Sequence, residues 1–398
     1  MKATTRIYLD AMLQNIKSVA FFTFLGVLIA RLGASDFEIA LSNSLPAFFC
    51  ALSLAFLTRQ LPVTRGVFLT SGYVRQFAFI CMALSVLLPD PIPVLLVFWS
   101  INAVSVIVTS AQQPAILRRV VEPDHFPALF SRIKMIALFI TTAGGLGIGL
   151  ALDATDAYFP YNYVASMLIG CLATFTGMSL IAGLAPREKT TIRFARMRPF
   201  QECDRNIWWM ALNNAGIYMT PPLFTIYHVK TLHLTNTQIA YFVVTSGIVS
   251  ALALPFVRKL MERFGTMRVY RAALLGMIVC AFPYGFVEQY GLLVAAQAWT
   301  GFMLAVSEVA TQTTMMEEAG KHKAEMAYFS DFQLVMQLGM AAGPLAAGAL
   351  LAVMPLWACF CIVALVRLAV FLARPLLPDR KKREAGDAER DPARLAAR

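Results

Sequence analysis

The sequence predicts a polytopic all-α membrane protein of twelve spans arranged as two parallel six-helix repeats, and three observations carry that prediction. Only 14% of the 398 residues are charged and 58% are hydrophobic, against roughly 25% charged in an average soluble domain. Mean hydropathy is +0.64 and the apolar residues run through the whole chain, so a single anchor on a soluble domain does not account for them. The third observation is a segment near residue 32 that recurs 200 residues later.

Apolar windows punctuated by Gly, Pro and charge place spans at 9–31, 37–57, 66–88, 92–115, 129–151 and 161–184, then at 207–228, 237–257, 268–287, 291–314, 326–352 and 355–377. Twelve spans of about 20 residues use about 240. What is left holds only short loops and no separate catalytic domain of the usual ~100 residues. The predicted organisation is a first half (1–185), a basic linker (186–205), a second half (206–377) and a charged, disordered tail (378–398). Lys2 and Arg6 ahead of the apolar stretch 18–30 have the look of a secretory signal. The repeat gives this segment a counterpart deep in the chain, so it is kept as helix 1.

Orientation follows from Lys and Arg counted by side. With both termini cytoplasmic, the inward segments hold 29 of the 34 and the outward loops only Arg31 and Lys230, while Lys17, Arg75 and Arg367 lie within spans. This topology explains the net charge of +11 through attraction to anionic inner-leaflet lipid, and no nucleic-acid partner is needed. Seven scattered cysteines form no CxxC pair and four histidines no HExxH pattern, so they read as buried thiols with neither metal nor cofactor expected.

The repeat is specific. Residues 32–40 align with 232–240 at an offset of 200, and both copies carry a capping box, Ser35 with Glu38 and Thr235 with Gln238. The same offset pairs Trp99 with Trp299 and Gln112 with Gln312; an offset of 199 pairs Gly144 with Gly343 and Gly149 with Gly348. Six spans per repeat leaves the halves in the same orientation, related by an axis along the membrane normal. In this the sequence resembles the major facilitator superfamily over essentially its whole length up to the tail. Leu260, Glu262, Arg263 and Gly265 fit, in degenerate form, that family's loop between helices 8 and 9. The resemblance implies that such a loop locks helix ends during state changes, which makes Glu262 and Arg263 gating candidates; a basic inner loop accounts for the same residues. Helix 11 carries Gly339, Gly343, Pro344 and Gly348, which resembles an antiporter motif normally found in helix 5. Close helix packing is the favoured reading of those glycines.

The resemblance further implies that helices 1, 4, 7 and 10 line a central cavity. Helix 1 offers Asp10, Gln14, Asn15 and Lys17, and helix 4 a stripe of Asn102, Ser105, Thr109, Gln112 and Gln113 at steps of three and four. Helix 7 has Asn213, Asn214 and Tyr218 ahead of Pro221 and Pro222, which permit a kink. Helix 10 has Thr300, Ser307, Glu308, Thr311 and Gln312. Of these, Asn15, Lys17, Asn102, Ser105, Thr109, Gln112, Asn213, Asn214, Tyr218, Thr300 and Gln312 are candidates for the substrate cavity. An ionisable group in a span costs about 2.5–3.5 kcal/mol on insertion scales, so Glu308 is the candidate for coupling proton to substrate movement, with a structural pairing to Arg75 or Lys17, or a group simply wetted by the cavity, as the alternatives. Lys17 suits either an anionic substrate or an ion pair with Asp10. Arg75 is either a buried counter-ion or, the favoured reading, snorkels to the inner surface; Arg367 has the same two readings, on a helix 12 expected to be peripheral. Arg132 and Asp331, at the inner ends of helices 5 and 11, are candidates for ion pairs that close the inner gate.

No phosphate loop, GxSxG elbow or metal cluster is present, so neither ATP drive nor an embedded enzyme is expected. The expected function is secondary active transport of a small organic solute by alternating access, with protons as the coupling ion, in a bacterial inner membrane and as a monomer. The alternatives are an exporter of drugs, lipids or other amphiphiles, and a non-transporting sensor on the same fold.

Overall fold

Helices 2 and 8 begin where the two capping boxes place them. The Ser35 side chain accepts from the Glu38 amide while Glu38 reaches back to the Ser35 amide, and Thr235 and Gln238 do the same. Each box satisfies amides that a helix start leaves without partners.

The computed structural model describes residues 3–57, 61, 64–118, 120, 126–185, 200, 203, 205–319 and 325–373. Most of the basic linker and all of the charged tail lie outside these residues. The helices are α1 (residues 3–31), α2 (Asp36–Phe56), α3 (Arg65–Ser85), α4 (Pro91–Arg118), α5 (residues 126–154), α6 (Tyr161–Ala182), α7 (residues 205–231), α8 (Asn236–Phe264), α9 (Thr266–Tyr284), α10 (Tyr290–Ala319), α11 (Glu325–Leu351) and α12 (Leu356–Ala373). Ten of them are long and apolar enough to cross a membrane. The other two are α7, which is broken at Met219, and α9, which starts with Arg268 and Arg271.

Three helices contain a single π-helical turn: α1 at Ser18–Phe22, α5 at Ile140–Gly144 and α7 at Tyr227–Thr231. Such turns release backbone groups and mark functional positions. The break in α7 has a covalent cause. Pro221 and Pro222 open its second piece, Thr220–Ile226, and proline has no N–H to return to the carbonyl four residues earlier. The anticipated kink is therefore present. The expected loop between helices 8 and 9 shrinks to one residue, Gly265, whose φ of 84° suits glycine. Leu260, Glu262 and Arg263 are helical, on the last turns of α8.

Small residues set the packing, and they set it twice. A Cβ on Gly149 of α5 would lie 2.9 Å from the Ala240 Cβ of α8, and one on Gly348 of α11 would lie 2.7 Å from the Ala40 Cβ of α2. These are the repeat-related positions, so the internal repeat reappears as two equivalent contacts. Also on α11, Cβ atoms on Gly339 and Gly343 would meet the α7 carbonyls of Ala211 and Ala215. Side chains there force a shift of packed backbone, an overpacking cost of about 1–3 kcal/mol or more. Gly343→Val is accordingly expected to leave little monodisperse protein after detergent extraction. Gly147→Ala, with open space at its Cβ, is expected to match the wild type in thermal unfolding.

Candidate functional site

A cavity in two lobes lies between the elements before residue 186 and those after 205. The first lobe, about 560 Å³, is walled by α1, α2 and α4 on one side and by α7 and α11 on the other; Lys17, Asn43, Trp99, Asn102, Tyr218 and His228 line it. The second, about 490 Å³, is enclosed by α7, α9, α10, α11 and α12, with Asn214, Cys280, Thr300, Glu308, Gln312 and Arg367 on its wall. Tyr218, Phe224 and Met340 border both lobes. Helices 1, 4, 7 and 10 thus reach the cavity as expected, joined by α2 and α11.

Lys17, Asn102, Asn214, Tyr218, Thr300 and Gln312, together with Glu308, face this space. Asn214 also donates to the Met336 carbonyl of α11 at 3.1 Å. The other expected cavity residues do not line it. Asn15 donates to the Ala11 carbonyl and Asn213 to the Trp209 carbonyl, each one turn back in its own helix. Thr109 bonds the Ser105 and Val106 carbonyls. Ser105 bonds the Ile101 carbonyl and borders an apolar groove formed with α2 and α3 instead. Gln112 is buried with both amide atoms unpartnered. Short hydroxyl and amide side chains satisfy themselves on i−4 carbonyls, so a polar stripe does not by itself mark a wetted face.

The charged residues are arranged differently from the sequence expectation. Glu308 is exposed to the cavity, and among the described residues no Lys or Arg forms an ion pair with it. Neither Arg75 nor Lys17 is its partner. Arg75 does not snorkel; it is only 6% exposed and lies within electrostatic reach of Asp10. Lys17 and Asp10 do not touch directly. The Gln14 amide links them, accepting from Lys17 Nζ at 3.2 Å and donating to Asp10 Oδ1 at 3.2 Å, while Gln113 donates to Asp10 Oδ2 at 3.4 Å.

Two functional groups escaped sequence reasoning. Arg367, expected on a peripheral helix, is buried and donates to the Gly216, Ile217 and Met277 carbonyls at 2.9, 3.2 and 3.0 Å and to Thr220 Oγ1 at 3.0 Å. The Ile217 carbonyl is the one Pro221 cannot serve. His228 sits in the π-helical turn of α7, 2.6 Å from the Tyr284 hydroxyl, which also accepts from Gln297 at 3.0 Å. Phe224 and Phe242 pack beside the imidazole.

At the end where α1 meets α2 and α7 meets α8, polar bonds close the cavity. Lys230 Nζ reaches the Ala34 carbonyl at 2.6 Å and Asp36 Oδ1 at 2.8 Å. Asp153 of α5 accepts from the Asn236 and Thr237 amides at 2.9 and 2.8 Å and from Asn236 Nδ2 at 2.8 Å, and Tyr163 donates to Asn236 Oδ1 at 2.6 Å. At the opposite end, where α1 begins and α12 ends, Arg132 is exposed and Asp331 buried. Glu262 pairs with Arg258 of its own helix at 2.8 Å, and the Arg263 guanidinium lies 5.2 Å over the Phe264 ring.

This fold and cavity define an integral membrane protein whose helices enclose a central cavity. Residues 207–397 match the family model "Major Facilitator Superfamily", and the resemblance seen in the sequence therefore holds by sequence in the second half and by fold throughout. No curated protein matches the chain by sequence. Among solved structures, a variant of the nucleoside transporter NupG superposes with a TM-score of 0.72 at 12% identity, covering 94% of this chain and 99% of that one. A bacterial homologue of the iron transporter ferroportin in its inward-facing state gives 0.71 at 14% identity, covering 94% and 97%. The same homologue in its outward-facing state gives 0.62 at 14% identity, covering 94% and 98%. These likenesses show that the chain has the fold of those transporters.

Proposed function

We propose that the chain is a secondary active transporter of a small polar organic solute that works by alternating access and is driven by protons. It works as a monomer with twelve spans, both termini cytoplasmic, in a bacterial inner membrane. The halves 1–185 and 206–377, joined by 186–205, rock about the cavity. The single observation carrying this reading is a cavity lined from both halves and bonded shut between them at the end where α1 meets α2 and α7 meets α8. The excess of Lys and Arg puts the opposite end, the open one in this reading, inside. The higher score against the inward-facing ferroportin homologue supports the same state. Arg132, Asp331, Glu262 and Arg263, at the open end, are the residues that would change neighbours when it closes.

Glu308 is the proton site in this scheme. It faces this lobe, and among the described residues no Lys or Arg pairs with it; neutralisation by a proton therefore lowers the cost of sealing the lobe from water. The test is transport in proteoliposomes. Wild-type protein should accumulate its solute against a gradient when the pH gradient is imposed. Glu308→Gln should abolish that accumulation while retaining solute exchange at equal pH. Undiminished accumulation in the variant would remove Glu308 from the mechanism. Ligand-induced stabilisation without exchange would favour a sensor, and exchange of cationic amphiphiles alone an exporter.

A further inference from the structure

We infer that the first lobe is a binding site for a small aromatic monocarboxylate carrying a second polar group, held by Lys17, the Phe22 and Trp99 rings and Asn102. The inference rests on the reading of the cavity as the substrate site and names the class of substrate.

Asn102 is the starting point. Its side chain is 0% exposed and borders the lobe, yet neither Oδ1 nor Nδ2 has a partner. Buried amides almost always find partners. The neighbouring polar groups do find them: Asn43 donates to the Ile39 carbonyl, Thr23 to the Ser18 carbonyl and Cys50 to the Ala103 carbonyl. An amide left with both a donor and an acceptor free is matched by a hydroxyl, which can serve both.

Charge gives the second requirement. Lys17 is the one Lys or Arg among the described residues lining this lobe, and no Asp or Glu lines it. Its ammonium has three N–H donors, of which one goes to Gln14. The nearest carboxylate, Asp10, is reached only through that glutamine and is shared electrostatically with Arg75. The missing counter-charge is a single negative one. A carboxylate supplies it, whereas a phosphate dianion brings one charge too many.

Ring geometry gives the third. Lys17 Nζ lies 5.3 Å over the Phe22 ring, whose centroid is 4.9 Å from that of Trp99 at an interplanar angle of 34°. A carboxylate on Lys17 therefore leaves the rest of the molecule against two aromatic faces, where offset stacking rewards a planar ring. Tyr218 and Phe224 stand on the lobe's other wall.

The experiment is calorimetric titration of the detergent-purified full chain with three probes: 4-hydroxybenzoate, benzoate and 4-hydroxybenzamide. Wild type should bind 4-hydroxybenzoate tightest. Benzoate, lacking the hydroxyl, and the amide, lacking the charge, should each bind about tenfold more weakly or worse, the size of one buried polar contact. Lys17→Gln should abolish the preference for acid over amide and Lys17→Arg should retain it. Asn102→Leu should lower the affinity for 4-hydroxybenzoate to that for benzoate. If Lys17→Gln does not fold, the three probes on wild type and on Asn102→Leu decide. Equal binding of acid and amide, an unchanged preference in Lys17→Gln, or no binding of any probe overturns the assignment. Exchange of some other solute without binding of these probes sinks the inference and leaves the transport reading standing. Binding without flux does the reverse.

Discussion

Arg367→Met is expected to lower the stability of the folded protein by about 1–3 kcal/mol, the cost of one stranded buried carbonyl. Thermal unfolding in detergent measures it. The argument begins with Pro221 and Pro222, which withdraw two amides from α7 and break it after Tyr218. Of the carbonyls beside the break, Ile217 loses the amide that Pro221 lacks and Gly216 is its neighbour, and in a bilayer no water replaces the lost donor. The planar guanidinium of Arg367 reaches both, together with Met277 of α9, and so ties three helices at one point. Thr220 keeps a bond of its own to Ile217 at 2.6 Å, and Met277, inside α9, keeps the amide one turn on, so methionine strands Gly216. Arg367→Lys, with no fork to span these groups, should fall between methionine and wild type. An unfolding midpoint for Arg367→Met within a degree or two of the wild type would show that the α7 break stands without the clasp.

How much of this was legible in the sequence depends on the range of the interaction. The capping boxes, the proline break and the small-residue contacts are written within a few residues, and each formed where its spacing placed it. Glu308 was legible because charge in a span is costly and rare. The helix 4 stripe was only half legible. Its spacing placed Asn102, Ser105, Thr109 and Gln112 on one face, but Ser105 and Thr109 turn to their own carbonyls and only Asn102 meets the cavity. For Arg75 and Arg367 a buried reading stood open beside snorkelling, but their partners were illegible because they are remote: Gly216 is 151 positions from Arg367. Hydropathy sees a charge in a span but not the broken backbone or buried carboxylate across the bundle that receives it. His228 was passed over for a related reason, since its partner Tyr284 lies on α9, 56 positions away.

Asp153→Ala is expected to shift the population away from the state seen here, by roughly two orders of magnitude in the equilibrium constant if about 3 kcal/mol of charge-assisted bonding is lost. A helix start leaves its first amides without internal partners. In α8 the capping box supplies the Gln238 amide from Thr235, and the Asn236 and Thr237 amides take the Asp153 carboxylate of α5 instead. The cap of a helix in one half is thus completed by the other half. When this end opens, water can serve those amides equally well, so α8 itself loses little and the loss falls on the closed state. Lys230→Ala, which removes the bonds to Ala34 and Asp36, should act in the same direction. Its ion pair is partly exposed, so its effect should be the smaller one, within about 1 kcal/mol. Distances between spin labels placed on the loop from α1 to α2 and the loop from α7 to α8 measure the population directly. Wild type should give one dominant short distance and Asp153→Ala a second, longer one. A distribution unchanged by Asp153→Ala would mean that the glycine contacts of Gly149 and Gly348, rather than these bonds, hold the end shut.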